Sequence, residues 1–132
     1  MSKYNYESEK QDYQTLKELL NLIFYELNLR GMYIGDFFGC DVCCSDTNIP
    51  AKTHYIDGVT NGLTADWHEL NYCNPPFKSC GKWVKKAYEE QQKGKSTVML
   101  IPARTETKYW QDFILNNGCT SRQGVHVKFL RK

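Results

Sequence analysis

Apolar residues recur every three or four positions in the first part of the chain. This spacing gives a helix one apolar face, and it predicts an amphipathic helix over about residues 7–28. Gly31 follows as a C-terminal stop. The apolar face consists of Leu16, Leu19, Leu20, Ile23, Phe24 and Leu27.

The next part of the chain contains an apolar segment and then a polar one. Residues 34–44, IGDFFGCDVCC, are rich in aromatic and small apolar side chains and predict a buried strand. Residues 45–65 contain Pro50, Gly58 and Gly62 and predict a long loop. A loop of this length in a small domain is usually functional or mobile.

Short strands and helices alternate after this loop. The pattern predicts strands over residues 70–73, 97–103 and 125–130, and helices over residues 79–92 and 106–116. Asn117-Gly118 would close the second of these helices. Such alternation leads to right-handed crossovers and a parallel sheet. We therefore expect an α/β fold in which ligands bind beyond the carboxyl ends of the strands.

Composition limits the possible classes of protein. The 132 residues are 41% hydrophobic and 24% charged, which is ordinary for a single globular domain over residues 1–132 with a polar extension at about residues 1–10. The net charge of +2 is too small to indicate a nucleic-acid-binding protein by itself. No apolar run approaches the roughly 20 residues of a membrane span, and the polar start differs from a signal peptide. These features predict a cytoplasmic protein.

The six cysteines are expected to be reduced thiols in a cytoplasmic protein. Cys40 and Cys43 form a CxxC pair, and Cys73 with Cys80 could complete a zinc site. The wide spacing of the second pair instead favours buried apolar thiols and no metal site. A zinc-stabilised nucleic-acid-binding module is a minor alternative.

Two consecutive prolines follow the short apolar run at residues 70–73. In Asn74-Pro75-Pro76-Phe77 they fix φ at successive positions, so the Pro75 carbonyl and the Asn74 side-chain oxygen point in preset directions. Two acceptors match the two N–H bonds of an exocyclic amine on a nucleobase. Phe77 could stack on the base, which is worth on the order of 1–3 kcal/mol. The alternative is a rigid turn with a structural role only.

The position of this turn favours the functional interpretation. Both Asn74-Pro75-Pro76-Phe77 and Pro102-Ala103-Arg104 directly follow or end predicted strands of one parallel sheet. The carboxyl ends of such strands meet at one edge. We therefore expect the two segments to face one pocket.

The motifs together resemble a known family. Asn74-Pro75-Pro76-Phe77 after a short strand is similar to the catalytic motif of methyltransferases that act on amino groups of DNA bases. More specifically, the run VMLIPARTETKYW, residues 98–110, resembles phage and prophage DNA N-6-adenine methyltransferases, a Dam-like family. Further similar segments are DVCCS at 41–45, GLTADW at 62–67 and WVKKA at 83–87, and the resemblance covers about residues 14–129.

The resemblance implies a Rossmann-like methyltransferase fold and an activity. Members transfer a methyl group from S-adenosylmethionine to the exocyclic nitrogen of adenine in double-stranded DNA. By position, Asn74, Pro75 and Phe77 would hold a flipped adenine and Pro76 would set the turn. The enzyme would have to extrude the base, at a cost of a few kcal/mol of stacking. The implied location is the cytoplasm of a bacterial host, with a phage or prophage as the source.

The resemblance also implies contacts to the cofactor. Asp66 would accept a hydrogen bond from the adenine of S-adenosylmethionine, and the Trp67 indole would cover one face of it. Asp41 would bind a hydroxyl or the methionine amine. Thr15, at the position where relatives have a Thr-Pro pair, would make a further contact. A solvated aspartate and a core tryptophan are the alternative for Asp66 and Trp67.

Basic residues cluster near the expected site although the net charge is small. Arg104, Lys78, Lys82 and Lys108 are predicted to contact DNA phosphates. Other lysines lie in or after the same predicted helix, and ordinary ion pairs on a solvated helix face are the alternative for them. These lysines are Lys85, Lys86, Lys93 and Lys95, with Glu89 and Glu90 as the possible partners.

The end of the chain leaves an alternative open. Relatives typically continue beyond the position of Lys132 with a further strand, so we expect a C-terminally shortened sheet. Its open edge would favour a homodimer. The alternative function is a catalytically inactive, truncated methyltransferase-like phage protein that binds DNA or a protein partner.

Overall fold

The computed structural model describes residues 16–29, 31, 35, 37–116, 125 and 127. The chain divides into two compact units, residues 1–36 with 128–132 and residues 37–127. In the first unit, helix α1 spans Leu16–Leu29 and buries Leu20, Phe24 and Leu27. The predicted apolar face is confirmed at these three positions. The predicted helix start at residue 7 and Thr15 lie outside the described residues.

The described residues of the second unit form a parallel sheet of four strands. These are β1 (Phe38–Cys44), β2 (Ala51–Ile56), β3 (Leu70–Cys73) and β4 (Ser96–Met99), in the order β2-β1-β3-β4. Each neighbouring pair is parallel. The α/β fold with a parallel sheet and flanking helices is therefore confirmed.

Strand β2 corrects the prediction of one long loop over residues 45–65. Its residues pair with β1 in the register Phe38 to Ala51 and Asp41 to His54. The sequence AKTHYI contains Thr, Tyr and Ile, which favour strands. Most of its side chains are only half-buried, so the apolar alternation that identifies a strand is weak. Residues 45–50 alone return the chain to the start of β1.

Helix α2 (Cys80–Gln92) connects β3 to β4 and covers one side of the sheet. A short 3₁₀ turn, Phe77–Ser79, precedes it. Its inner face buries Trp83 and Val84. The core on this side joins α2 to β1, β3 and the preceding loop through Cys40, Val42, Trp67, Cys73 and Trp83.

The segment after β4 differs from its predicted form. The strand ends at Met99 rather than at residue 103, and residues 100–104 are irregular. The predicted helix over residues 106–116 is a π-helical segment, Trp110–Leu115. Its Phe113 contacts Tyr88 of α2, with ring centroids 5.1 Å apart. Asn117-Gly118 and most of the last predicted strand lie outside the described residues.

Candidate functional site at the carboxyl edge of the sheet

The proline turn after β3 is held on both sides by backbone hydrogen bonds. Leu100 N–H donates to the Cys73 carbonyl (3.0 Å) and joins the end of β3 to the end of β4. On the other side, Ser79 N–H donates to the Pro76 carbonyl (3.3 Å). Pro76 is extended, with φ −62° and ψ 146°. The turn is therefore a fixed connection between a buried strand and a helix.

The Asn74 side chain and the Phe77 ring of the turn face solvent. Asn74 is exposed and Pro75 is buried, while the Phe77 side chain is 80% exposed. Among the described residues, no hydrogen bond occupies the Asn74 amide or the Pro75 carbonyl. The Asn74 side chain and the Phe77 ring are thus accessible to a ligand, and the Pro75 carbonyl has no hydrogen-bond partner among the described residues. Burying such a large exposed ring would be favourable.

The segment after β4 reaches the same edge, as expected. A side chain on Gly81 would meet the Tyr109 ring, because an added Cβ would lie 3.0 Å from it. Tyr109 therefore packs on the first turn of α2, directly after the proline turn. The Thr107 hydroxyl and the Thr107 backbone N–H both donate to the Arg104 carbonyl, at 2.7 and 3.0 Å. These two bonds fix the backbone that presents Arg104.

Asp41 lies within the sheet, next to the point where the strand order reverses. The chain goes from β1 to β2 in one direction and from β3 to β4 in the other, and ligands of open parallel sheets bind at such a reversal. Asp41 pairs in register with Tyr72 of β3, near the end of that strand. Its side chain is only 2% exposed. Asp41 therefore lies opposite Tyr72, two residues before Asn74 at the end of β3.

The Asp41 carboxylate has an unusual environment. Its Oδ1 has no hydrogen-bond partner. Burial raises the pKa of Asp41 to about 6, although the Cys43 amide and His54 act in the opposite direction. A buried polar atom without a partner costs about 1–3 kcal/mol. This orphaned oxygen is the feature that a ligand with an N–H or O–H group would satisfy.

The structure does not bring Asp66 and Trp67 to the proline turn. The Trp67 indole is buried, stacks on Trp83 at 6.4 Å between ring centroids and donates to the Gly62 carbonyl (2.7 Å). Asp66 lies 3.8 Å from Nζ of Lys93, just beyond the end of α2. Because α2 runs back from the carboxyl edge to the start of β4, Lys93 lies toward the opposite edge. Asp66 is exposed and Trp67 is buried, and contacts of either residue to a cofactor stay a prediction.

The predicted phosphate-binding residues separate into two groups. Lys78 and Lys82 are exposed and form no ion pair within the described part of the chain. Arg104 lies 2.9 Å from Glu106, and Lys108 lies 2.9 Å from Asp112. Both of these pairs have exposed cations, so the ion pairs are weak and can open to bind another anion.

One acidic residue at this edge was missed by the sequence analysis. Asp57 directly follows β2, and its N–H donates to the carbonyl of Cys44 at the end of β1 (2.9 Å). Its side chain is exposed. The signal was present in the sequence, because an acidic residue after a parallel strand lies at the ligand-binding edge. The sequence predicts a loop over residues 45–65, so in that prediction Asp57 does not follow a strand.

No group of three or more His, Cys, Asp or Glu side chains in the described residues is arranged to hold a metal ion. The five cysteines among the described residues are free thiols, and burial raises the pKa of Cys40 and Cys43 to about 11. None of the described helices is long and apolar enough to cross a membrane.

A family model described as DNA N-6-adenine-methyltransferase (Dam) matches residues 6–118. This match covers most of the chain, including β1 to β4, the proline turn and the segment after β4. The chain belongs to the DNA N-6-adenine-methyltransferase (Dam) family. Comparison with curated proteins and with solved structures found no match.

Membership of the Dam family agrees with the geometry of the carboxyl edge. The four-stranded parallel sheet with its flanking helix is consistent with a Rossmann-like methyltransferase. The two free acceptors and the exposed ring of the proline turn lie within the region that the Dam model matches. A family that methylates DNA adenine has DNA as its substrate and S-adenosylmethionine as its usual methyl donor.

Proposed function

We propose that this protein transfers a methyl group from S-adenosylmethionine to the exocyclic amine of a flipped adenine in double-stranded DNA. The observation that carries the proposal is the proline turn. Asn74 and Pro75 present free acceptors beside the exposed ring of Phe77, at the ligand-binding edge of a sheet from this family.

The proposed role of the turn is to hold the amine and orient it. The exocyclic amine of adenine has two N–H bonds, which can donate to the Asn74 Oδ1 and to the Pro75 carbonyl. Accepting from both hydrogens increases electron density on the nitrogen and positions its lone pair. The turn supplies this effect without reorganisation, because its backbone is already fixed.

Phe77 is proposed to stabilise the extruded base. Base flipping costs a few kcal/mol of lost stacking and pairing. Stacking on an aromatic side chain returns about 1–3 kcal/mol. A ring that is 80% exposed in the free protein is available for this purpose. The Phe77 position next to the two acceptors allows one base to use all three contacts.

Asp41 and Asp57 are the residues that fit the cofactor best. S-adenosylmethionine supplies the methyl group on its sulfonium. Its ammonium and ribose hydroxyls are donors, and the orphaned Oδ1 of Asp41 needs one. Asp57, exposed at the end of β2, offers a second carboxylate at the same edge. We propose these two as cofactor ligands, and we propose that Trp67 supports the site from the core.

The first test is a calorimetric titration of S-adenosylmethionine into the protein, with adenine-containing duplex DNA present. Saturable binding is expected. Transfer of a radiolabelled methyl group to the duplex would then be measured. Absence of binding would contradict the proposal and would leave a methyltransferase-like protein that binds DNA or a partner without catalysis.

Variants of two exposed asparagines then test the role of the turn. Asn74→Ala is expected to abolish methyl transfer. It should leave the unfolding temperature unchanged, because the Asn74 side chain forms no hydrogen bond with the described residues. Asn48→Ala is the matched control, because Asn48 is exposed and bonds only to Asp46. Unchanged transfer by Asn74→Ala would contradict the proposed role of the turn.

A further inference from the structure

The lysines in and after α2 fall into two groups with different environments. The first group surrounds Glu90, which is fully buried. Lys86 and Lys93 each donate to its Oε2 at 3.0 Å. Lys95 lies 3.7 Å from its Oε1 and donates to the Trp67 carbonyl. These three cations compensate a buried charge and hold the end of α2.

The second group consists of Lys78, Lys82 and Lys85. All three side chains are exposed, and within the described residues none forms an ion pair or a side-chain hydrogen bond. The positions are four and three residues apart along the continuous 3₁₀ turn and α2. Residues at this spacing share one face of a helix. We refer to Lys78, Lys82 and Lys85 as the lysine stripe.

The lysine stripe lies on the outer side of α2. The inner side carries the buried residues Cys80, Trp83 and Val84, which pack toward the sheet. The stripe begins next to the exposed ring of Phe77 and extends for about 10 Å along the helix axis at 1.5 Å per residue. Phosphates of one DNA strand follow each other every 3.4 Å or so along the duplex axis, so a stripe of this length spans about three of them.

Glu89 limits the lysine stripe at its far end. It lies four residues after Lys85 and is also exposed, and no ion pair of the described residues includes it. A carboxylate at this position repels a phosphate. The outer face of α2 is therefore positive near the proline turn and becomes negative toward the end of the helix. Its charge thus changes sign along the helix axis.

We infer that the sugar-phosphate backbone of the DNA substrate runs along the outer face of α2 and contacts Lys78, Lys82 and Lys85. This inference rests on the proposed function and specifies which cations serve it. Lys86, Lys93 and Lys95 do not contact DNA, because Glu90 holds them. The backbone departs from the helix before Glu89.

The salt dependence of DNA binding tests the inference. The affinity for a labelled duplex containing adenine would be measured over a series of salt concentrations. Each lost phosphate contact reduces the slope of log K against log salt by about 0.9. Lys82→Gln and Lys85→Gln are each expected to reduce the slope by this amount. Glu89→Lys is expected to increase it.

Lys52→Gln is the matched control. Lys52 is also an exposed lysine, but it lies in β2 with Nζ 5.9 Å from the centre of the Phe37 ring. We expect it to leave the slope unchanged. Equal slopes for the wild type and Lys85→Gln, or equal reductions in Lys85→Gln and Lys52→Gln, would overturn the inference.

Two further measurements separate failure of the inference from failure of the proposed function. If the wild type binds the duplex and methylates it, but the variants of the lysine stripe keep its slope, only the inference is wrong. If the wild type binds through the stripe without methyl transfer, the inference stands and the proposed activity is wrong. If the wild type does not bind the duplex, both are overturned. Titration with S-adenosylmethionine and thermal unfolding would show whether each variant retains its fold.

Discussion

The backbone N–H of Trp67 donates to Oε1 of Glu90 at 3.3 Å, across 23 residues of sequence. The bond joins the loop before β3 to the last turns of α2. The same carboxylate binds Lys86 and Lys93 through its other oxygen. Glu90 therefore connects the loop, the helix and the chain leading into β4 at the edge opposite the proline turn.

Replacing Glu90 should destabilise the fold strongly. Glu90→Ala removes the ion-pair partner of three lysines. The positive charges of the two less exposed ones, Lys86 and Lys95, then lose their counter-ion. Loss of one member of a buried ion pair costs about 3–5 kcal/mol. Urea unfolding followed by tryptophan fluorescence would measure the effect. Glu89→Ala, at the neighbouring exposed position, should change stability little, and equal effects of the two variants would contradict this role of Glu90.

Glu90 should also make stability depend on acid. Burial alone would raise its pKa, but the hydrogen bonds from Lys86, Lys93 and the Trp67 amide outweigh it and lower the pKa to about 2. A depressed pKa in the folded state stabilises the fold above the ordinary value of 4.5. This contribution is lost as the pH falls toward about 2. Unfolding curves of Glu90→Gln should lack this part of the pH dependence.

Asp41 should have the opposite effect on stability. Its pKa is raised from 3.8 to about 6 by burial, so its contribution to stability is fully present below pH 3.8 and is lost as the pH rises through about 6. Asp41→Asn should therefore be more stable than the wild type at neutral pH, by about 2–3 kcal/mol. Thermal unfolding at several pH values would measure this difference. If Asp41→Asn were less stable than the wild type at neutral pH, the conclusion that the buried Asp41 carboxylate destabilises the fold would be wrong.

The same variant should lose affinity for S-adenosylmethionine. A hydrogen bond to a charged group contributes about 1.5–3 kcal/mol, so we expect the Kd to rise by roughly 10- to 100-fold. Wild-type affinity should itself fall as the pH drops below about 6, because Asp41 becomes protonated. Asp46→Asn, at an exposed position five residues further along the chain, is the control. Tight binding that persists in Asp41→Asn would exclude Asp41 as a ligand.

Gly62 should not tolerate a side chain. An added Cβ would lie 2.0 Å from the Val42 carbonyl oxygen and 2.8 Å from the Trp83 ring. Backbone cannot move aside as a flexible side chain does, so Gly62→Ala should cost at least about 1–3 kcal/mol. Gly94→Asn is the comparison, because nothing lies within 4 Å of an added Cβ there and asparagine is among the side chains that best tolerate the Gly94 φ of +90°. Urea unfolding should separate the two variants clearly.

Thr107 should position Arg104 for substrate binding. Thr107→Val removes the hydroxyl that donates to the Arg104 carbonyl, a bond worth about 1 kcal/mol. We expect KM for DNA to rise roughly fivefold, with KM for S-adenosylmethionine unchanged. Thr107→Ser should restore the wild-type value. Thr105→Val changes an exposed side chain and serves as the control. Equal kinetics of Thr107→Val and Thr105→Val would contradict the positioning role.

The segment from β3 to β4 could be predicted because its local sequence patterns agree with one another. Each local pattern there fits only one kind of element. A short apolar run predicts a strand, two prolines predict a turn, a helical pattern predicts α2, and a second apolar run predicts a strand. The place of Asn74 at the carboxyl edge then followed from the parallel topology. The exposure of Phe77 did not follow from the pattern, since phenylalanine is usually buried.

Other features could not be derived from local sequence. Strand β2 is half-buried, so its alternation is weak, and pairing with β1 determines its structure. The burial of Trp67 depends on Trp83 and Gly62, which lie in other segments. The pairing of Lys93 and Lys95 with Glu90 depends on how the chain turns after α2. Tertiary contacts decided each of these outcomes.

The connection between β1 and β2 has a mechanical consequence. Residues 45–50 carry the chain back along a strand of seven residues, a distance of about 20 Å at 3.3 Å per residue. Six residues can span little more than this at full extension. The connection therefore has little spare length, and it tolerates insertion better than deletion. Shortening it would pull β2 out of register with β1 and shift Asp57 along the edge of the sheet. The length of the connection therefore sets the position of Asp57 relative to Asp41.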